Sequence, residues 1–390
     1  MKIESTKKVN VYIEATALAS AKMSGIGHLT LNLINGLLED EEFQKSHQLA
    51  LVVPFNKAAS VRAKFNQPVT IKKLWLPSRV IELLLRVRLL PYMDLFLGNG
   101  LYLFPNYKNW PLLRSTNYTY IHDLGFVKHP KFVQPKNLIY LRTYVPLWIK
   151  RASKILTISE FSKTEIMEEY SLSTEKVALI YPGIDPKQFT KQAPVQIEKI
   201  RVKYKLGTRP YFLFVGNIEP RKNLERLVVA FNQLDQQSKE KFSLVLVGAE
   251  GWLNGSIHES IKAARLEGSN IIFPSQHVTD EDLPALYSGA FALLHPALYE
   301  GFGIPPVEAM ACGIPTAISN VEPMPEVASG AALLFNPLHA DEITQAIKAL
   351  IENSKLRSEL ITKGLRRAQD FNLKTVTQKL VTLITEESKQ

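Results

Sequence analysis

Two glutamates stand eight positions apart in the stretch YEGFGIPPVEAMACG (299–313), with two glycines and two adjacent prolines between them. Pro305 and Pro306 are pre-set for a first helical turn and Gly313 suits a C-terminal cap. The run therefore predicts a glycine-rich turn carrying Glu300, then a short helix with Glu308 in its first turn. A carboxylate there is favoured by the positive helix end without any ligand. That accounts for Glu308 alone; it leaves Glu300, Gly301 and Gly303 without a reason. Backbone N–H groups from Gly301 through Ile304, those of Phe302 and Gly303 included, can point at sugar hydroxyls or phosphate oxygens. A carboxylate on either side can accept from paired hydroxyls: a hexose at Glu300, a ribose at Glu308. The chemistry that fits is a sugar nucleotide laid across the loop.

Four further stretches carry groups that could act. In SGIGHLTLNLINGL (24–37), Gly25 and Gly27 open a helix and allow a phosphate or sugar close to its N-terminus. The dinucleotide fingerprint is incomplete, because no third glycine and no second-strand acid follow. A plain strand-to-helix turn is an equal reading. In YIHDLGF (120–126), His122 ends a strand, where an imidazole can bond a substrate hydroxyl or shuttle a proton. The alternative is a ring satisfied by nearby backbone. In FVGNIEPRKNLERLVVAF (214–231), Arg221 and Lys222 stand at the start of a helix, against the dipole, which makes sense if an anion is bound beside them. In VTDEDLPALYSGA (278–290), Asp280 and Asp282 form an Asp-x-Asp. Thr279 as N-cap with Asp282 three residues on explains them as capping chemistry. A metal would need more oxygen ligands than this segment offers, so no metal site is expected.

Elements must hold these groups. VNVYIEA (9–15), QLALVVP (48–54), NYTYIHD (117–123), KILTIS (154–159) and VALIYPG (177–183) read as strands in the first half. PYFLFVGN (210–217), FSLVLVG (242–248), NIIF (270–273), FALLHP (291–296), IPTAIS (314–319) and AALLF (331–335) do so in the second. Helical patterns such as 223–234 and 339–354 alternate with them, which predicts an α/β protein of two doubly wound parallel sheets. The polar segment 184–206 marks the boundary. Ligands of such sheets bind beyond the carboxyl ends of the strands, where most of these motifs lie.

A chain of 390 residues exceeds one ordinary core, and 46% apolar with 22% charged residues is a globular composition. No apolar run reaches the length of a membrane span, and the apolar part of the N-terminus, interrupted by Glu14, reads as a strand rather than a signal peptide. The single Cys312 excludes an intrachain disulfide, and a cytoplasmic location fits. Residues 1–195 hold 26 cationic and 15 acidic side chains, a net +11, against 21 and 22 beyond them, a net −1. The basic half calls for an anionic partner. PSRVIELLLRVRLLPYM (77–93), basic and very apolar, is the candidate for peripheral contact with an anionic membrane, against the alternative of an ordinary packed helix. No zinc spacing, RNA-binding aromatic signature or lysine-rich helix accompanies the charge, so no nucleic acid is expected as a partner.

Taken in order, SGIGHLTLNLINGLL, HDL, ISEFSK (158–163), VGNIEPRKNLERLVVAF and LYEGFGIPPVEAMACGIPTAISNVEPMPEVASGAALLFNP (298–337) resemble the family 4 glycosyltransferases, retaining enzymes of the two-Rossmann-domain (GT-B) class. The resemblance covers nearly the whole chain. Glu300 and Glu308 match the family's Glu-x7-Glu motif, its most specific part. The resemblance implies that Glu300 holds the donor sugar with the amides of Phe302 and Gly303, that Glu308 holds the ribose, and that Lys222 with Arg221 binds the diphosphate. It implies further donor contacts at Asn217, Val278 and Ile304, an approach of Gly25 and Gly27 to the phosphate, and His122 near the reacting face. Many relatives carry arginine where this chain has Asn217, and Arg221 is expected to take over. The domains implied are 1–190, acceptor-binding, joined by a C-terminal helix at about 373–390 that crosses back to it, and 191–372, nucleotide-sugar-binding, with a cleft between them.

The expected activity is transfer of a hexose from a nucleoside-diphosphate sugar, UDP-glucose before GDP-mannose, to a saccharide or lipid-linked acceptor in surface polysaccharide assembly at the inner membrane face. The donor is the substrate; no cofactor or metal is implied. A sugar-nucleotide epimerase on the same fold and a non-catalytic sugar-nucleotide-binding subunit are the alternatives.

Overall fold

The structure, a computed structural model, describes residues 8–20, 23–249, 255–274 and 276–387. Its contacts divide the chain into two compact units: unit 1, Met1–Gly183 with Leu373–Gln390, and unit 2, Ile184–Asn372. Unit 1 is built on strands β1 (Val9–Glu14), β2 (His47–Pro54), β3 (Ile71–Leu74), β4 (Leu101–Phe104), β5 (Thr116–Tyr120), β6 (Lys154–Thr157) and β7 (Val177–Leu179). They form one sheet in the order β3-β2-β1-β4-β5-β6-β7, with every pairing parallel. Unit 2 holds β8 (Tyr211–Val215), β9 (Ser243–Val247), β10 (Ile271–Ile272), β11 (Ala292–His295), β12 (Thr316–Ser319) and β13 (Leu333–Phe335). Their order is β10-β9-β8-β11-β12-β13, again all parallel. Both orders reverse direction next to the unit's first strand, between β1 and β4 and between β8 and β11. In a doubly wound sheet that is where the carboxyl ends open a ligand crevice.

The strand sequences explain the two-sided burial. YFLFV, SLVLV and ALLH are nearly continuous apolar runs, as parallel strands covered on both faces must be. Phe212, Phe214, Leu244 and Leu246 pack against Leu227, Phe231, Ile343 and Ile347 of the covering helices. In unit 1, Tyr12, Tyr102 and Phe104 meet Ile81, Leu85 and Trp110, and Trp148 and Phe126 anchor a second cluster.

Two strands are absent from the sequence reading. In β3, Lys72 has partners for its charge: its amine lies over the Tyr12 ring, 4.9 Å from the centroid, and donates to the Leu97 carbonyl at 2.5 Å. In β4, four apolar residues give too short a run to separate strand from helix by periodicity. The expected boundary segment 184–206 contains the helix Pro194–Lys203 of unit 2, and the chain passes between units at Gly183. The 77–93 stretch is also not one helix. It is helical over Ser78–Arg86 and then turns, with Arg88 left-handed at φ 60°.

The helix Leu373–Glu387 belongs to unit 1. It buries Val376, Thr377, Leu380, Val381 and Ile384, and packs on the helix Gly25–Glu39. Gly36 makes the approach possible: a Cβ there would stand 2.0 Å from Thr377 Oγ1 and 3.1 Å from Thr377 Cβ. Overpacking of this kind costs about 1 to 3 kcal/mol. Gly36→Ala is therefore expected to lower unfolding free energy by that amount in denaturant melts. Thr377→Gly in the same chain should cost less than it does alone, giving a non-zero interaction energy in the double-mutant cycle.

Candidate functional site

The reversal point of unit 2 gathers most of the residues singled out in its sequence. After β8 the chain runs through Gly216 and the exposed Asn217 into a 3-10 turn, Pro220–Lys222, then Asn223, and only then into the helix Leu224–Asn232. Asn223 is left-handed, at φ 59°, so Arg221 and Lys222 precede the helix rather than begin it. After β11 the chain runs through Pro296 to Glu300 and Gly303, then into the helix Ile304–Ala311. The two loops are stitched together. Leu298 N–H donates to the Arg221 carbonyl at 2.8 Å, and Asn223 Nδ2 donates to the carbonyls of Pro296 at 3.1 Å and Pro337 at 2.7 Å.

Glu300, 7% exposed, is the centre of the arrangement. Lys222 Nζ donates to its Oε1, Arg221 Nη1 donates to Oε2 at 2.7 Å, and His295 Nε2 donates to Oε1 at 3.0 Å. Arg221 Nε also stands 2.7 Å from the Glu219 carboxylate. Burial alone would raise the Glu300 carboxyl, but Lys222 and then Arg221 overrule it and hold it well below the usual carboxylate range. Burial pulls Lys222 down from its ordinary value, with Glu300 opposing, and pulls the His295 ring down as well. His295 is therefore neutral with its proton on Nε2. Its Nδ1 is buried with no partner among the described residues. The anion that explains the two cations is thus within the chain: Glu300 faces Lys222 and Arg221 directly, where the sequence assigned them to different parts of a ligand.

Glu308 lies in the second turn of its helix, not the first, so helix-end electrostatics do not account for it. Its Oε2 accepts from the buried Tyr287 hydroxyl at 2.7 Å, and burial raises its carboxyl to about 7. Gly303 is left-handed at φ 92°, a backbone conformation that strains any other residue, and a Cβ there would also push on the Met324 methyl at 2.5 Å. The Phe302 ring is core, edge-on to Phe371 at 5.1 Å. Ile304 begins the helix, and Val278 is buried in the loop before the helix Leu283–Ser288.

Other candidates stand elsewhere. Thr279 is not the N-cap. The helix begins at Leu283 behind Asp282, whose carboxylate accepts from Lys203 and Tyr204, each at 2.5 Å, and from Thr279. The Asp282 carboxylate is thus committed to protein donors. In unit 1, His122 lies just past β5, with Nε2 donating to the Pro105 carbonyl at 2.8 Å and the ring stacked near Tyr120. Burial pushes that ring down from its ordinary value. Gly25 and Gly27 do open the helix Gly25–Glu39, but the Gly27 N–H already donates to the Ser24 hydroxyl at 3.3 Å. Sequence reasoning missed His295, Asn223 and Tyr287. The only signal for His295 was a polar residue closing the apolar run ALLHP just upstream of Glu300; Tyr287 carried none.

Residues 196–367 match the family described as Glycosyl transferases group 1. The chain is 29% identical over 263 residues to O-antigen chain mannosyltransferase B of Escherichia coli, covering 67% of this chain and 68% of that one. It is 30% identical to O-antigen chain mannosyltransferase RfbU of Salmonella typhimurium over 61% of each. With the serotype-specific mannosyltransferase WbdA of Escherichia coli it shares 29% identity, and the match spans only 27% of that longer protein. Sucrose-phosphate synthase from Thermosynechococcus elongatus superposes with a TM-score of 0.73 at 18% identity over 98% of this chain and 100% of its own. Anabaena HepE in complex with UDP and glucose does so at 0.73 and 18% over 97% and 99%. The fold is that of these two-domain glycosyltransferases.

Two outcomes test this site. Glu300→Ala leaves Lys222 buried without its counter-charge and is expected to cost about 3 to 5 kcal/mol of stability. Adding Lys222→Met should recover most of it, read from urea melts of the three chains. Glu308 binds its proton more tightly folded, near pH 7, than unfolded, near 4.5. Its contribution to stability is therefore greatest below pH 4.5 and falls as pH rises through 7, by on the order of 3 kcal/mol. Glu308→Gln should flatten that part of the stability–pH curve.

Proposed function

We propose that this chain, whose residues 196–367 match the group 1 glycosyltransferases, moves a hexosyl group from a nucleoside-diphosphate sugar to a hydroxyl of a saccharide or lipid-linked saccharide, in the assembly of a surface polysaccharide. The observation that carries this reading is the cluster of Glu300 with Lys222, Arg221 and His295 at the reversal point of unit 2, with the Glu308 carboxyl one helix turn further on. The Glu300 carboxylate holds both cations in place from within the chain. A donor would bring a diphosphate to Lys222 and Arg221 and sugar hydroxyls to Glu300, exchanging one set of charge-assisted bonds for another. Glu308, accepting from Tyr287 on one oxygen, keeps its other oxygen for a ribose hydroxyl.

Transfer with retention would proceed on one face of the sugar, the leaving diphosphate taking the acceptor proton. The protein then contributes positioning and stabilisation of the leaving charge by Lys222, Arg221 and the N-terminus of the helix Ile304–Ala311. That charge is supplied by side chains, so the reading is metal-independent. The names of the relatives weigh toward a mannosyl donor, and mannose displaces glucose as the first sugar to test. No helix of the described residues is long and apolar enough to cross a membrane. We place the acceptor at the inner membrane face.

Calorimetric titration with GDP, UDP and their hexose conjugates, followed by transfer assays on membrane acceptors, tests the reading; a chain that binds none of them refutes it. Lys222→Ala should weaken nucleoside-diphosphate binding about 10- to 150-fold, the worth of one charge-assisted bond at roughly 1.5 to 3 kcal/mol. Turnover should persist in EDTA. Affinity should fall as pH drops below about 7, because a ribose hydroxyl bonds the ionised Glu308 better than the protonated one. Glu308→Gln should lose both affinity and that pH dependence.

A further inference from the structure

Eighteen large apolar side chains stand exposed among the described residues, and eight of them fall between Trp75 and Phe96 of unit 1. Scattered exposed leucines are ordinary; this concentration is not. The helix Ser78–Arg86 turns Ile81 and Leu85 into the core and leaves Val80 and Leu83 outward, with Val87 just beyond. Leu89 at 70% exposure, Tyr92, Leu95 and Phe96 at 61% continue the face, and Trp75 at 66% begins it. Leu113, also exposed, is held beside it, its N–H donating to the Asp94 carboxylate at 2.9 Å.

The charges of the same segment have one sign outward. Lys73, Arg79, Arg86 and Arg88 are exposed. Its two acids are committed: Glu82 to Lys108 at 2.9 Å, and the buried Asp94 to the N–H groups of Leu113 and Arg114.

We propose that this face of unit 1 docks on an anionic lipid surface, its leucines and Phe96 entering the headgroup boundary and Arg79, Arg86 and Arg88 bonding lipid phosphate. Three features select a bilayer as the occupant. Arginine forks match phosphate oxygens. Trp75 and Tyr92 have the amphipathic rings that settle at a membrane interface. A second copy of the chain would set four cations against the same four. The Lys108–Glu82 bond ties the helix to the loop after β4, at the carboxyl end of the sheet beside Glu14. A lipid-borne acceptor would thus meet the end of unit 1 where such sheets take ligands. That last point rests on the transferase reading; the docking itself does not.

Vesicle sedimentation separates the two. The full chain is expected to sediment with phosphatidylcholine–phosphatidylglycerol vesicles, weakly with phosphatidylcholine alone, and less as salt rises. Charge reversal at Arg79, Arg86 and Arg88 together should lower partition about 100-fold or more. Leu89→Ser with Phe96→Ser should lower it on the order of 10-fold. Both variants should keep wild-type melting and nucleoside-diphosphate binding. Absence of sedimentation with the anionic vesicles, or equal sedimentation of wild type and both variants, overturns the proposal. So does a dimer in analytical ultracentrifugation that the serine variant dissolves while vesicles stay unbound. A wild type that binds vesicles but no nucleotide would sink the transferase reading and leave this one standing.

Discussion

A carboxylate taken out of water must be surrounded by donors, and the upper end of unit 2 is organised around that requirement at Glu300. Its donors come from two loops that leave neighbouring strands in opposite directions through the sheet: Lys222 and Arg221 after β8, His295 at the end of β11. The 3-10 turn Pro220–Lys222, the Leu298–Arg221 backbone bond, the Asn223 amide and the charges together fix the conformation of the two loops. An ion cluster of this kind gains little net free energy over an apolar replacement, since desolvation offsets much of the attraction. What it provides is a fixed register: Lys222, Arg221 and His295 are all held against one carboxylate.

The two glutamates of one short motif have been given opposite electrostatics. Glu300 is buried among cations and stays an anion far below neutral pH; Glu308 is buried beside a phenol and titrates near 7. Eight residues of sequence separate a fixed charge from a switchable one. Environments that push neighbouring carboxyls apart in this way occur at sites that handle hydroxyls and leaving charges and in structural ion-pair networks alike.

Much of this architecture was written in local pattern. Strands buried on both faces appear as unbroken apolar runs, whereas the helix Leu373–Glu387 was expected to within a few residues only from the family resemblance. What escaped was whatever depended on long-range partners. Lys72 makes β3 look polar until Tyr12 and Leu97 are known to receive it. Glu308 looks like a helix cap until the turn before it is placed and Tyr287, twenty-one residues back, is found against it. Lys222 and Arg221 implied an anion, and sequence alone could not reveal that the first such anion is Glu300. His295 was unreadable for the same reason: a histidine in an apolar strand acquires meaning only from what stands opposite its ring.

The docking of the last helix on Gly25–Glu39 has a consequence for biogenesis. Leu29 and Leu33 border the same small void as Val376 and Leu380, and the Tyr118 hydroxyl on β5 reaches the Leu383 carbonyl and the Glu387 carboxylate. These apolar partners follow unit 2 in the chain, so they leave the ribosome after it. The first unit made is therefore the last one finished: while unit 2 is being synthesised, the groove along Gly25–Glu39 waits open to solvent, a surface for chaperones to hold. A ribosome that stops short of residue 373 releases a chain that holds every residue of unit 2 but lacks the Leu373–Glu387 helix of unit 1.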